Sequence, residues 1–382
     1  MDPLTITALL SMFFIGMVLT DTVRVDESED AAVTVFEEGI DGYPRIRIPS
    51  VLRLADGTLL AFAEGRLAGD HSENDLILKR SVDGGRTWGE SRTIATRGAD
   101  SLNDPLPVEV REGPHEGRVY LHFMSFPSGC HTPCVESGYG PRSSQNWIVF
   151  SDDLGCTWSS PENVTDLFRR PGSNYGGSPG VGIQLRRGVH RGRIVLPLRE
   201  GPIGAMRAYT VYSDDGGDRW SRGDIVSNEA SSGTADEVCI VECSDGSLLL
   251  NTRLHNGGPT RRKSARSTDG GVTFTAFEVD ESLITPHCMG SIIAPGKGAI
   301  VYYAGPWSES ARVDGAIVGS GDGGRTWSEP KILVPGSFAY SQLVDLENAG
   351  EIGLLYETDD YQRIEFRRVP ASELPKILGS SR

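Results

Sequence analysis

The octapeptide SVDGGRTW, residues 81–88, decides the fold, because the chain repeats it four more times. SDDLGCTW (151–158), SDDGGDRW (213–220), STDGGVTF (267–274) and SGDGGRTW (320–327) follow, with starts 70, 62, 54 and 53 residues apart. Arg219 replaces the threonine in the third copy and Phe274 the tryptophan in the fourth. An aspartate that accepts backbone N–H bonds, followed by a glycine free to take positive φ, makes a tight turn. The closing aromatic then buries a large apolar face against neighbouring strands. Five acidic loops also raise the question of calcium, but each offers too few oxygen ligands at the needed offsets.

Two strand-like runs precede each box. They are 57–66 and 75–81 in the first unit, 117–125 and 147–151 in the second, and 192–200 and 208–213 in the third. The fourth has 246–254 and 262–267, the fifth 298–306 and 315–320. A sixth pair, EIGLLYE (351–357) and RIEFRRV (363–369), has no box. Further runs such as RIRIPSVL, NDPLPVEV, DEVCIVEC and AYSQLVDL lie ahead of these pairs. With a strand after each box, every unit becomes four antiparallel strands. The expected fold is all-β, a six-bladed β-propeller with four-stranded antiparallel blades.

In such a fold, with strands counted from the axis outward, each box joins the third strand to the fourth. The second strand therefore ends, and the first begins, at the opposite rim. Arg47, Asp104, Glu237 and Tyr340 fall at the starts of first strands, and Arg66, Arg253 and Glu357 at the ends of second strands. Asp70 and Arg312 fall in loops between second and third strands. All nine are expected at one rim near the axis, which scattered surface charges would not achieve. In GYPRIRIPS (42–50), alternation puts Arg45 and Arg47 on one face.

The boxes, together with GYPRIRIPS, LLAFAEGR, GDHSENDLILKRS, DEVCIVECSDGSLLLNTR, AYSQL and GLLYE, resemble the exo-α-sialidases, retaining glycoside hydrolases, over residues 33–370. The resemblance implies that Arg47, Arg253 and Arg312 grip a substrate carboxylate. Arg47 is preferred to Arg45 because it directly precedes Ile48-Pro49. A planar carboxylate suits guanidinium forks. Tyr340 would be the nucleophile and Glu237 its base, because an anionic nucleophile would be repelled by the carboxylate on the anomeric carbon. Asp70 would be the acid/base, with Asp75 as a rival suited to capping a strand end. Glu357 would steady Arg47, while Arg66 and Asp104 would line the pocket and meet ring substituents. Ile46 stands where an aromatic is common, and the interval from Arg66 to Asp70 is one residue shorter than in some relatives. This chemistry calls for no cofactor and no metal. The partners implied are sialylated glycans: glycoproteins, glycolipids and oligosaccharides.

The chain has 382 residues, 38% hydrophobic and 23% charged, with 47 glycines, 22 prolines and a net charge of −15. That charge argues against a nucleic-acid partner, and it requires any anionic substrate to be met by a local positive cluster. Residues 4–20, LTITALLSMFFIGMVLT, form one apolar run with Asp2 where a basic start is expected. We read residues 1–30 as an export signal, with an uncleaved membrane anchor or a mis-assigned start codon as alternatives, and expect a secreted or periplasmic protein. Residues 31–372 would be the propeller and 373–382 a tail. Of the six cysteines, Cys130 and Cys134 in CHTPC are expected as a loop disulfide or free thiols rather than metal ligands. Residues 126–146 are the expected specificity loop. A transferring or intramolecular sialidase, or a non-catalytic sialic-acid-binding propeller, would share much of this pattern.

Overall fold

A computed structural model describes residues 32–377 apart from 71, 131–133, 203, 229–232, 256–259, 348 and 349. The apolar run at 4–20 and the export reading of residues 1–30 lie outside the described residues. No helix among those described is long and apolar enough to cross a membrane.

The fold is all-β, a propeller-like arrangement of four-stranded sheets. Among the described residues the helices are the four-residue Thr165–Phe168 and two short 3-10 turns. One sheet runs Thr234–Glu242, Leu248–His255, Arg261–Ser267 and Glu278–Ile284; the next runs Ser291–Ile293, Val301–Pro306, Val313–Ser320 and Lys331–Ser337. Before them stands a sheet centred on Ile194–Gly201 and Arg207–Ser213, whose innermost element is split into Asn174–Gly177 and Ile183–Gln184. Residues 45–163 make one eight-stranded sheet. It consists of two four-stranded halves joined by a single parallel pair, Asn74 opposite Ser101.

The last sheet has no box, and its outer strand comes from the other end of the chain. Val33–Glu37 pairs with Arg363–Val369, beside Ile352–Thr358 and Ser341–Asp345. Pairing of residues 33–37 with 363–369 ties two segments far apart in the sequence into one sheet and so closes the ring.

The box chemistry is visible in every copy. In the first, Asp83 accepts the Thr87 N–H at 3.0 Å and its hydroxyl at 2.6 Å, while Ser81 Oγ accepts the Gly85 N–H at 2.9 Å. Partial burial works against the charge, but these bonds bring the Asp83 carboxyl down to about 2. In the third copy Arg219 keeps the backbone bond, at 2.9 Å to Asp215, and loses only the hydroxyl one. The second box glycine has a further task. Gly85 (φ +86°) lies against Phe366 of the last sheet, and Gly155, Gly217 and Gly324 likewise lie against Leu60, Tyr120 and Leu249 of the preceding unit. Each box is thus a wedge between neighbours.

At the end of the axis beyond the boxes, carboxylates and one amide tie first strands together. Glu109 accepts the Ala55 N–H, Gln184 that of Arg111, Glu242 those of Arg186 and Arg187, and Asp345 that of Gly296, all at 2.7–2.9 Å. Leu, Ile, Val and aromatic side chains fill the spaces between successive sheets.

A Cβ on Gly85 would stand 2.1 Å from Phe366 in a backbone conformation that disfavours it. We expect Gly85→Ala to cost about 2–4 kcal/mol, read as a lower urea midpoint. A midpoint equal to that of the parent would contradict the wedge.

Candidate active site

The residues that carry the site stand where first strands depart from regular pairing. The register shifts between Arg47 and Ser50, between Asn103 and Leu106, and between Ala235 and Val238. Regular alternation would send adjacent side chains to opposite faces. A bulge turns two consecutive ones the same way, and so Arg47 with Ile48, Asn103 with Asp104, and Asp236 with Glu237 all line one cavity of about 280 Å³. Ile48 (φ 61°) and Asp104 (φ 58°) are left-handed at these bulges, a conformation costing about 1–2 kcal/mol for an L-residue. Two buried glutamates hold them there: Glu357 accepts the Ile48 N–H and Glu64 that of Asp104, each at 2.9 Å.

Eight of the nine residues singled out in the sequence line this cavity: Arg47, Arg66, Asp70, Asp104, Glu237, Arg253, Arg312 and Tyr340. The ninth, Glu357, lies behind Arg47 and is fully buried. It takes Arg47 in a fork, Nε at 2.6 Å and Nη2 at 3.0 Å, and also accepts the Tyr340 N–H at 3.2 Å. Burial opposes the charge on Arg47, and Glu357 more than restores it. Arg45 is more than half exposed and reaches only Glu38, at 3.8 Å.

Tyr340 Oη donates to Glu237 Oε1 at 2.6 Å and accepts from Arg253 Nη1 at 2.9 Å. Its ring lies 5.7, 5.9 and 5.2 Å from the guanidinium carbons of Arg47, Arg253 and Arg312. Burial holds the phenol well above its usual pKa and the Glu237 charge adds to this; Arg253 and Arg312 pull the other way. Arg253 also meets Asp236 at 2.7 Å and Glu237 at 3.1 Å. Arg312 forms no ion pair among the described residues. It reaches the His287 carbonyl and the Tyr361 hydroxyl, both at 3.4 Å. The cluster therefore contains a half-buried cation with no carboxylate of its own among the described residues, which is what an anion receptor requires.

On the other side of the cavity Glu64 grips Arg66 at 2.6–2.8 Å, and Arg66 bonds the Asp70 carboxylate. Asp70 sits in the loop between Leu59–Arg66 and Asn74–Ser81, two-thirds exposed. Its rival Asp75 is outside the cavity and accepts the Tyr43 hydroxyl at 2.8 Å. Cys130 and Cys134 are disulfide-bonded, in the segment between Val119–Phe126 and Gln145–Ser151.

Sequence reasoning missed Arg199, Asp236 and Glu64. Arg199 is fully desolvated yet stays charged, between Asp104 at 3.2 Å, Asp236 at 2.6 Å and Glu237 at 3.4 Å. Its signal was present: in GRIVLPLRE it ends a second strand, as Arg66 and Arg253 do. Burial opposes ionisation of Asp236, but Arg199 and Arg253 hold its carboxyl far below the usual range. The apolar wall of Met124, Phe126, Tyr175 and Met206 left no pattern to read.

Burial pushes Asp104 up to about 7; Arg199 works against this, and Glu64, Glu237 and Asp236 reinforce it. An unfolded aspartate titrates near 3.9. The native state therefore binds more protons between about pH 4 and 7, and this group's contribution to stability falls as pH rises through that window. Asparagine mimics the neutral form. We expect Asp104→Asn to exceed the parent by about 1–2 kcal/mol at pH 5 and by about 4 kcal/mol at pH 8. Denaturant titration at the two pH values checks this, and an equal effect at both would contradict it.

A family model described as BNR repeat-like domain matches residues 57–354. A sialidase of Micromonospora viridifaciens is 36% identical over 339 residues, covering 84% of this chain and 50% of its own length. A sialidase of Paraclostridium sordellii is 30% identical over 283 residues, 70% of this chain and 67% of its own. Among solved structures, the Hadza microbial sialidase Hz136 superposes with a TM-score of 0.77 at 24% identity, over 89% of this chain and 68% of that one. The chain thus spans about half the length of the Micromonospora relative. These matches show that the chain belongs to the sialidase family of BNR-repeat proteins.

Proposed function

We propose that the protein is an exo-α-sialidase that hydrolyses terminal α-linked sialic acids of glycoconjugates with retention, through a tyrosyl-enzyme intermediate. The observation that carries this is the 2.6 Å hydrogen bond from the Tyr340 hydroxyl to Glu237, made inside a ring of three arginines. Retaining glycosidases use a carboxylate nucleophile as a rule, and sialidases use tyrosine. A phenol stays neutral until attack, so it approaches an anomeric centre that bears a carboxylate without repulsion. As the O–C bond forms, the phenolic proton passes to Glu237, and Arg253, 2.9 Å from the same oxygen, offsets the developing negative charge.

In this reading Arg47, Arg253 and Arg312 hold the substrate carboxylate, with Glu357 steadying Arg47. Asp70 protonates the departing glycosidic oxygen, then takes a proton from water in the second step. Its exposure suits a group that meets both aglycone and solvent. Asp104, Arg66 and the apolar wall contact ring substituents. Residues 126–146, joining second to third strand beside the cavity, set glycan preference. Sialylated glycans outside the cell would suit the export reading of residues 1–30.

We also infer six blades. The eight-stranded sheet counts as two, because one pair alone joins its halves. Six apolar clusters support the count, each bridging one unit and the next, the last closing sheet six on sheet one.

Hydrolysis of an aryl α-sialoside and of sialyllactose tests the roles together. We expect Glu237→Gln to lower kcat by about 10²–10⁴-fold on both substrates. Asp70→Ala should lose a similar factor on sialyllactose and much less on the aryl sialoside, whose leaving group needs little protonation. Equal losses on both would remove Asp70 from the acid role. A folded parent that binds sialic acid without cleaving either substrate would favour a binding module.

A further inference from the structure

The three arginines assigned to the substrate carboxylate are held in different ways. Arg47 is tied to Glu357, and Arg253 to Asp236 and Glu237. Arg312 is held by neutral groups: the His287 carbonyl, the Tyr361 hydroxyl and the face of Tyr340. A neutral tether suits a group that must receive an anion, since a carboxylate there would compete with the substrate's.

Tyr361 joins two of the three. Its ring centroid lies 4.0 Å from the Arg47 guanidinium carbon, and its hydroxyl accepts from Arg312 Nη1 at 3.4 Å. The backbone that presents it is strained. Asp359, Asp360 and Tyr361 are successive left-handed residues, with φ of 49°, 50° and 75°. Such a run persists only where its surroundings over-determine it. Here the Asp360 N–H donates to Ser337 Oγ at 2.9 Å, the Thr358 hydroxyl donates to the Ser337 carbonyl at 2.9 Å, and Arg363 holds Asp359. The turn lies directly after the strand that carries Glu357, so a single segment supplies both the counter-charge of Arg47 and the aromatic face on it.

We propose that Tyr361 is a positioning residue for substrate-carboxylate binding, stacking on Arg47 and tethering Arg312 so that both guanidiniums are set before the anion arrives. This rests on the sialidase reading. A cation–π contact of a desolvated guanidinium favours the bound geometry without consuming its hydrogen-bond donors, and a preset site spends less of its binding free energy on ordering.

The test compares the parent with Tyr361→Leu and Tyr361→Phe. It reads kcat and KM on an aryl α-sialoside, Tm, and inhibition by 2,3-didehydro-N-acetylneuraminic acid and by its carboxamide. Loss of the stack in Tyr361→Leu should raise KM about tenfold, with kcat nearly unchanged, and shrink the preference for acid over amide by a similar factor. Tyr361→Phe keeps the stack, so it should lose about two- to threefold in both quantities. It also keeps the test valid if the leucine variant does not fold. Unchanged KM and preference in Tyr361→Leu would overturn the proposal. So would a lowered Tm with the acid-over-amide preference intact, which is the signature of a purely structural role. A parent that neither cleaves the sialoside nor binds the acid would overturn the sialidase reading beneath it, an outcome distinct from an active enzyme indifferent to Tyr361.

Discussion

The carboxylate of Glu357 is the constraint on which the site depends. Buried completely, it accepts two donors from Arg47, the N–H of the left-handed Ile48 and the N–H of Tyr340. Burying a carboxylate is costly unless it is hydrogen-bonded, and four donors offset that cost. Those donors come from the first strand and from the residue opening the last inner strand. One side chain therefore fixes a cavity arginine, the bulge that aims it, and the backbone of the tyrosine beside it. Glu64 repeats the device one unit on, with Arg66 and the N–H of Asp104. The two sides of the cavity are two uses of one structural solution.

Around these anchors the charges are dense but unequally matched. Asp236 and Glu237 serve both Arg199 and Arg253, Glu357 serves Arg47, and Arg312 is left with neutral neighbours. In the proposed reading a chain of net charge −15 holds an anion because the field that matters is local; more distant carboxylates are screened beyond about 8–10 Å. In the proposed chemistry the same imbalance serves twice, first in binding the carboxylate and then in stabilising the phenolate as it forms.

Much of this was legible from residues 81–88 and their four repeats. The box forces a tight turn, its repetition forces repeated sheets, and antiparallel order then separates a box end from a cavity end. Arg66, Arg253 and Glu357 could be placed because second strands run regularly up to that rim. Asp236 could not, because alternation points it away from Glu237 and only a bulge brings both inward. Arg199 shared the position of Arg253 but lay in a unit whose inner strand is broken in two. Closure by Val33–Glu37 had no signal either, since the last sheet has no box to announce its fourth strand. Tyr361 depends on three successive left-handed residues; aspartate visits that conformation singly, but no local rule anticipates a run of three.

The central claim is that Tyr340 becomes covalently bonded to the sugar. Incubation with 2,3-difluoro-N-acetylneuraminic acid slows both steps and lets the intermediate accumulate, so peptide mass spectrometry can locate the adduct. The account predicts one 3-fluorosialyl group per chain, on the peptide containing Tyr340. An adduct on Glu237 or Asp70, or none in an enzyme that the reagent inactivates, would contradict it.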